Sequence, residues 1–363
     1  MDFALSDEQV MIRDSFRGLL SRDVSLDLIR DVAAVESACD AGLWSLLTEM
    51  GMPGLLIAEE FGGAGLGLLE ATVVAEELAR AMAPVPYVGS AVLAPLALMG
   101  GENDALKSAW LPRMAAGEVR LGVALTELAA GVRKGMGVTA TDTTLSGQTR
   151  FVLEAGEAAA MIVGDRSGGL YLVEADAAGV ETTAFPTIDG TRCVVDLQLD
   201  NVPATLVAGG NSGVAARIID AGRIILAAET LGAGEEMLRR AVTYAGERKQ
   251  FDRIIGSFQA VKHMCAEMAA ELEPCRGLVW HAAYAFDHLP DETREAAAMT
   301  KSHVDEVGRF VARTATEVHG GMGFTDLMGL HYWYKRIGFN RAALGTPDRL
   351  RDELAARLLG RSA

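Results

Sequence analysis

Val214-Ala215-Ala216-Arg217-Ile218-Ile219-Asp220-Ala221-Gly222-Arg223-Ile224-Ile225-Leu226-Ala227-Ala228-Glu229-Thr230-Leu231-Gly232-Ala233-Gly234 opens an unusually long helical pattern that reaches Arg248. Glycine inside a helix costs about 1 kcal/mol relative to alanine, so Gly222, Gly232 and Gly234 predict close helix packing or backbone approach to a ligand. A second helix is expected from Ser257 to about His288, kinked or broken at Pro274. A third runs from Glu292 to His319. Residues 207–363 therefore read as a helical bundle.

Working back, residues 119–206 change pattern. Short β-type runs appear at Arg120–Thr126, Thr149–Leu153, Ala160–Val163, Leu170–Val173 and Thr191–Leu199. Glycine, aspartate and threonine separate them as in a small antiparallel sandwich or barrel. Residues 1–118 read as helices again. Ser6-Asp7-Glu8-Gln9 is a capping-box pattern. The glycine-rich break Phe61-Gly62-Gly63-Ala64-Gly65-Leu66-Gly67 precedes a helix from Leu68 to about Ala81. Two more helices are expected near 88–99 and 103–116. The class is α+β, in three domains: 1–118 all-helical, 119–206 β, 207–363 helical.

The chain has 363 residues, half of them hydrophobic, with a net charge of −16. That composition buries a sizeable core and argues against wrapping nucleic acid or docking on anionic lipid. Four scattered cysteines make no disulfide framework, and buried thiols in a reducing compartment are expected. The N-terminus lacks a secretory pattern and no apolar run is long enough to span a bilayer, so a cytoplasmic location is the expectation. There is no P-loop, HExxH, GxSxG, zinc-spaced cluster or strand–GxGxxG–helix unit, so no metal is expected.

Two stretches invite a chemical reading. Glu247-Arg248-Lys249-Gln250-Phe251, followed by Ser257-Phe258-Gln259 and His263, offers an arginine suited to bidentate phosphate contact. His319-Gly320-Gly321-Met322-Gly323-Phe324-Thr325 lets backbone N–H groups approach an anion. On spacing alone each is equally a surface turn or a helix C-cap.

At these residues the chain resembles the acyl-CoA dehydrogenase family over nearly its whole length. Asp2-Phe3-Ala4-Leu5-Ser6-Asp7-Glu8-Gln9 and Glu59-Glu60-Phe61-Gly62-Gly63-Ala64-Gly65-Leu66-Gly67 are similar to family segments. Ala124-Leu125-Thr126-Glu127-Leu128-Ala129-Ala130-Gly131 resembles A-x-T-E-P-x-A-G-S-D. The Arg248-to-Gln259 block, with Phe251, Ile255 and Phe258, resembles R-x-x-F-G-x-x-I-x-x-F-Q. Glu317-Val318-His319-Gly320-Gly321-Met322-Gly323-Phe324 resembles Q-x-x-G-G-x-G-F. The resemblance implies an N-terminal helical domain, a middle β-barrel or sandwich and a C-terminal four-helix bundle. It implies FAD and desaturation of an acyl-CoA thioester between Cα and Cβ. A carboxylate takes the α-proton while the flavin takes hydride.

By the same resemblance, Leu125, Thr126, Gly131 and Phe151 would lie at the flavin. Arg248, Gln250 and Phe251 would reach a partner's FAD, with Ile255 and Phe258 in the same block. Glu317, Gly320, Gly321 and Thr346 complete the cofactor set. The implied partners are the acyl-CoA substrate, an electron-transfer flavoprotein or similar acceptor, and a homologous subunit in a dimer of dimers.

Departures from the family pattern are concentrated at these positions. The serine after A-G is Val132 and the next aspartate is Arg133. The hydroxyl expected after Phe151-Val152 is missing at Leu153. The glutamine of Q-x-x-G-G is Glu317, and the glycine after Phe251 is Asp252. The family's glutamate base sits at one of two places. Leu344-Gly345-Thr346 puts Leu344 at the first, and Asp220-Ala221-Gly222-Arg223 puts Gly222 at the second, one residue before Arg223. Neither accepts a proton. His331 is a possible substitute but is expected to pack beside Tyr332, Trp333 and Tyr334. The expectation is a subunit whose partner supplies the glutamate. A silent acyl-CoA-binding or scaffolding relative and a flavin oxygenase on the same fold stay open beside it.

Overall fold

The computed structural model describes residues 4–35, 39–141 and 143–360. Asp2 and Phe3 of the opening motif lie outside the described residues. The chain divides into two compact units. The first comprises Met1–Ile29, Thr72–Ala83 and Ile224–Ala363; the second comprises Arg30–Ala71 and Pro84–Arg223.

In the first unit, helix α1 (Asp7–Asp23) starts at the expected capping box. Gln9 N donates to Ser6 Oγ at 3.3 Å, and Ser6 N donates to Gln9 Oε1 at 2.9 Å. Helix α2 (Leu26–Ala33) starts in this unit and ends in the second, α3 (Ala41–Glu49) belongs to the second, and α4 (Leu68–Ala81) re-enters the first at Thr72.

The second unit carries most of the sheet. The region after Pro84 and Pro86 opens as a π-helix, Tyr87–Leu93, before α5 (Ala94–Gly100). An unbroken α-helix was expected here. Pro95 lacks an N–H, and Gly89 N and Ser90 N are drawn instead to Glu154 Oε2, at 2.7 and 3.0 Å. Helix α6 spans Asp104–Ala115, capped by Asn103.

The strands are β1 (Leu121–Ala124), β2 (Gly137–Thr141), β3 (Thr144–Leu153), β4 (Ala160–Gly164), β5 (Leu170–Glu174), β6 (Val180–Ala184), β7 (Val194–Pro203) and β8 (Thr205–Ala208), with a short helix α7 (Thr126–Ala130) after β1. They form one sheet in the order β6-β7-β3-β1-β4-β5-β8, with β2 paired to β3. One pairing departs from the antiparallel expectation: β1 runs parallel to β4, joining Leu121 to Ala160. A parallel pair needs a long crossover, and residues 125–159, with α7, β2 and β3, supply it. The strand expected from Thr191 begins at Val194, because the Asp189 carboxylate accepts from Thr191 N and Oγ1 and holds a turn. Val138, Leu145, Val152, Met161, Val173, Val195 and Leu197 form the buried core.

Helix α8 (Val214–Glu247) begins in the second unit and continues in the first from Ile224. A Cβ on Gly232 would lie 2.0 Å from the Glu76 carbonyl oxygen of α4, so the expected close approach is real there. A hairpin, β9 (Lys249–Gln250) with β10 (Arg253–Ile254), leads to α9 (Gln259–His288). The break expected at Pro274 does not form. The buried Leu272, Cys275, Val279 and Ala282 hold the helix through the one hydrogen bond that proline removes. Helices α10 (Thr293–His319), α11 (Leu330–Ala342) and α12 (Pro347–Leu358) complete the unit.

The cysteines are free thiols, but only Cys275 is buried; Cys39, Cys193 and Cys265 are half-buried. Among the described residues no helix is long and apolar enough to cross a membrane, and no cluster of metal-ligating side chains occurs.

Candidate functional site

In the second unit β1 delivers Leu125, buried, and Thr126 at the start of α7. Thr126 Oγ1 donates to Phe151 O at 3.3 Å. Phe151 sits at a register shift between β3 and β7, with a positive φ of 57°. Its ring meets Phe185 edge-on at 4.8 Å, and the Arg133 guanidinium stands 5.2 Å over the ring. Glu127 is buried and committed to its neighbours. Thr149 Oγ1 donates to it at 2.5 Å, Arg150 N at 3.5 Å, and Arg133 lies 3.6 Å away. Gly131 ends α7 and leads into Val132, which is 46% exposed, whereas Leu153 is buried. Gly222 and Arg223 lie on α8, both buried, and Arg223 Nη1 is 3.4 Å from Asp220 Oδ1.

The first unit holds the second group of residues. Arg248 closes α8, and its carbonyl accepts from Ile255 N at 2.8 Å. Its side chain is exposed and meets no carboxylate among the described residues. Phe251 and Asp252 form the hairpin tip, with positive φ values of 53° and 59°. That backbone explains why glycine suits the second position and why aspartate, which tolerates the left-handed region, can replace it. Gln250 Nε2 donates to Lys249 O. Phe251 is 87% exposed, its ring 6.2 Å from Phe258.

At the end of α10, Gly320 has φ 59°, and a Cβ on Gly320 or Gly321 would meet nothing within 4 Å. The space beside both glycines is thus open, although the Gly320 N–H itself donates to Glu317 O. Glu317 is neutralised by Arg313, whose Nε donates at 3.0 Å. His319 is buried, donates from Nδ1 to Ala315 O and stacks on Tyr244; burial holds its pKa below the usual imidazole value. Leu344 is buried with φ 53°, followed by Gly345 and by Thr346, which precedes α12. His331 packs against Tyr332, ring centroids 4.1 Å apart and tilted by 37°, with Asp326 Oδ1 3.7 Å from its Nε2. Glu229, another buried carboxylate, lies 3.7 Å from Arg336.

Acyl-CoA dehydrogenase IpdE2 of Mycolicibacterium smegmatis is 30% identical to this chain, over 94% of the chain and 96% of its own length. The chain belongs to the acyl-CoA dehydrogenase family. The family's N-terminal domain pattern matches residues 6–118 and its C-terminal domain pattern residues 211–359. A chain of the ChsE4-ChsE5 complex from Mycobacterium tuberculosis superposes with a TM-score of 0.91 at 27% identity, covering 100% of both chains. A chain of the Tcur3481-Tcur3483 steroid ACAD superposes at 0.89 with 30% identity, covering 98% of each.

Acyl-CoA dehydrogenases are flavoprotein oxidoreductases acting on CH–CH groups, so the two groups of residues can be judged as cofactor contacts. An uncrowded glycine turn and the exposed Arg248 guanidinium, which meets no carboxylate among the described residues, suit phosphate oxygens. The ring-side residues suit a flavin poorly. The Thr126 hydroxyl is turned to Phe151 O, Val132 and Leu153 are aliphatic, and Arg133 covers a face of Phe151. One residue had no signal in the sequence: Arg166, which donates to Met136 O beside this segment. No motif links positions 136 and 166; the Val138–Asp165 bridge brings them together.

Proposed function

We propose that the chain is one subunit of a heteromeric, flavin-dependent acyl-CoA dehydrogenase acting on a fatty or steroid-type acyl-CoA, whose homologous partner supplies the glutamate that takes the α-proton. The observation that carries this reading is that Leu344 and Gly222, which the resemblance puts at the two base positions, cannot accept a proton. The buried carboxylates Glu127 and Glu229 are already engaged, by Thr149 and by Arg336 respectively. Two similar solved structures are each named as a pair of chains, ChsE4-ChsE5 and Tcur3481-Tcur3483, and the latter is named a steroid ACAD.

Bound FAD would accept hydride from Cβ. This chain's part is to bind and orient. Arg248 would hold a phosphate of the partner's cofactor by charge-assisted hydrogen bonds, with Gln250 and Phe251 beside it. The Gly320–Gly321 backbone would approach the adenine-diphosphate half. Reoxidation is assigned to an electron-transfer flavoprotein or a similar acceptor. A second reading, an acyl-CoA-binding subunit with no turnover in any assembly, is favoured by Arg133 lying over Phe151.

A visible spectrum of the chain alone and after co-expression with a homologous subunit decides between them. Yellow protein bleached anaerobically by acyl-CoA, in the assembly but not alone, is the expected result. Colourless protein in both preparations supports the second reading.

A further inference from the structure

Arg248 follows the end of α8, and Gly320–Gly321 follow the end of α10. For both to serve one cofactor, the ends of these two helices need a fixed spacing. Arg240, Tyr244 and Arg248 stand four residues apart, on one face of the helix. Arg248 N donates to Tyr244 O at 2.8 Å, so the helical path carries on to the arginine. Arg240 Nη1 donates to Met328 O at 3.3 Å, and its guanidinium lies 4.1 Å from the centre of the Trp333 ring. That face of α8 is therefore held to the chain beyond the glycine turn. Tyr244 makes the contact nearest Arg248. It stacks on His319 with ring centroids 4.6 Å apart and planes 25° from parallel. His319 is the last residue of α10, immediately before Gly320.

The imidazole is held so that it faces the tyrosine. Nδ1 donates to Ala315 O at 2.7 Å, one turn back along α10. The turn Gly320–Phe324 folds back beside it, and a Cβ on Gly323 would lie 3.0 Å from His319 Cβ. His319 is 2% exposed, and among the described residues its Nε2 has no hydrogen-bond partner. A buried acceptor without a donor costs stability, and an apolar side chain of similar size would not carry that cost. Packing alone therefore does not call for a histidine here. The Nδ1 bond sets the plane of the ring, and the plane of the ring makes the stack.

We infer that Tyr244 and His319 are a positioning pair. They hold the Arg248 guanidinium and the Gly320–Gly321 turn at the spacing that one cofactor needs, acting through those residues rather than on the cofactor itself. The inference rests on the cofactor roles proposed above for Arg248 and the glycine turn. Charge-assisted contacts to phosphate are short and directional, so a support that loosens by about 1 Å leaves the donors present but misplaced.

Flavin affinity of the chain assembled with a homologous subunit tests this. Tyr244→Leu keeps apolar bulk and removes the stack. His319→Asn keeps a side-chain N–H for Ala315 O and removes the ring, whereas His319→Phe keeps the ring and removes the N–H. Tyr244→Leu and His319→Asn should weaken flavin binding roughly two- to tenfold, the range of one aromatic pair. His319→Phe should lose less than His319→Asn; the reverse order overturns the stack. On top of Arg248→Ala, Tyr244→Leu should add little, because both losses fall on the same contact. Additive losses, or a lower melting temperature with parent-like flavin affinity, would make the stack purely structural and overturn the pair. Should the His319 variants fail to fold, Tyr244→Leu with and without Arg248→Ala decides. A loss at Arg248→Ala with none at Tyr244→Leu removes the pair and leaves the cofactor role of Arg248 intact. Unchanged affinity in Arg248→Ala removes that role and the pair with it.

Discussion

Arg248 and Leu344 mark what single residues can say about this chain. Arg248 is exposed and meets no carboxylate among the described residues, so folding does not require its charge. Arg248→Ala should therefore leave the melting temperature unchanged. It should weaken flavin retention of the assembled enzyme about tenfold or more, the loss of a charge-assisted contact of about 1.5–3 kcal/mol. Flavin release followed by fluorescence measures this, and unchanged retention would remove Arg248 from the cofactor set. Leu344 is the converse case. A buried leucine at φ 53° keeps a left-handed backbone that costs about 1–2 kcal/mol. The family resemblance made the position legible. The backbone strain was not, because nothing in the letters Leu344-Gly345-Thr346 fixes the first φ. Arg133 was legible as a departure, but its place over Phe151 depends on a register shift in β3 that periodicity does not reveal.

At the scale of elements, α8 shows what a glycine inside a helix means. Adding a methyl at Gly232 gains up to about 1 kcal/mol of helix propensity. It also drives Cβ to 2.0 Å from a backbone oxygen of Glu76, and backbone cannot swing aside as a side chain would. Overpacking of this kind costs about 1–3 kcal/mol or more, so Gly232→Ala should lower the melting temperature by several degrees. Gly246, on the same helix with nothing within 4 Å, is the control: Gly246→Ala should hold or slightly raise it. Equal effects at the two positions would contradict the close approach of α4 and α8. The long helices were readable because their apolar period and caps are local. Leu68–Ala81, for instance, starts and stops where its glycine and proline neighbours predict. The π-helix at Tyr87–Leu93 was not readable, since it depends on Glu154 reaching Gly89 N and Ser90 N from sixty-odd residues away. The parallel β1–β4 pair was hidden for the same reason: it is a tertiary choice between runs that look alike.

For the molecule as a whole, pH and composition of the assembly are the variables that count. Lys301 and Asp305 are fully buried, with Nζ donating to Oδ2 at 2.5 Å. Burial outweighs the lysine and pushes the Asp305 carboxyl up to about 6. An unfolded aspartate titrates near 4, so the folded chain holds this proton more tightly. The stability it contributes is full below about pH 4 and is lost as pH rises through about 6. His319 works in the opposite sense, its lowered value favouring the folded state at higher pH. Comparing the parent with Lys301→Met/Asp305→Asn isolates the aspartate: urea midpoints should fall more between about pH 4 and 6 in the parent than in the variant. Parallel curves would remove Asp305 from the pH dependence.

On the proposed reading the assembly sets the activity. That reading puts Leu344 and Gly222 at the two base positions, so the homomeric chain should show no useful turnover over a panel of acyl-CoAs with an artificial electron acceptor. Co-assembly with a glutamate-bearing homologue should restore it. Correct protonation chemistry is worth about 10²–10⁴ in rate, so the contrast is far outside assay error. Leu344→Glu and Gly222→Glu test which position can accept a base; the first places the carboxylate where the backbone already holds the loop shape. Robust turnover by the homomeric parent would overturn the partner requirement. His331→Ala would then distinguish the histidine packed against Tyr332 from a carboxylate elsewhere: loss of that turnover would make His331 the leading candidate for the base, and its survival would direct the search to Glu127 and Glu229.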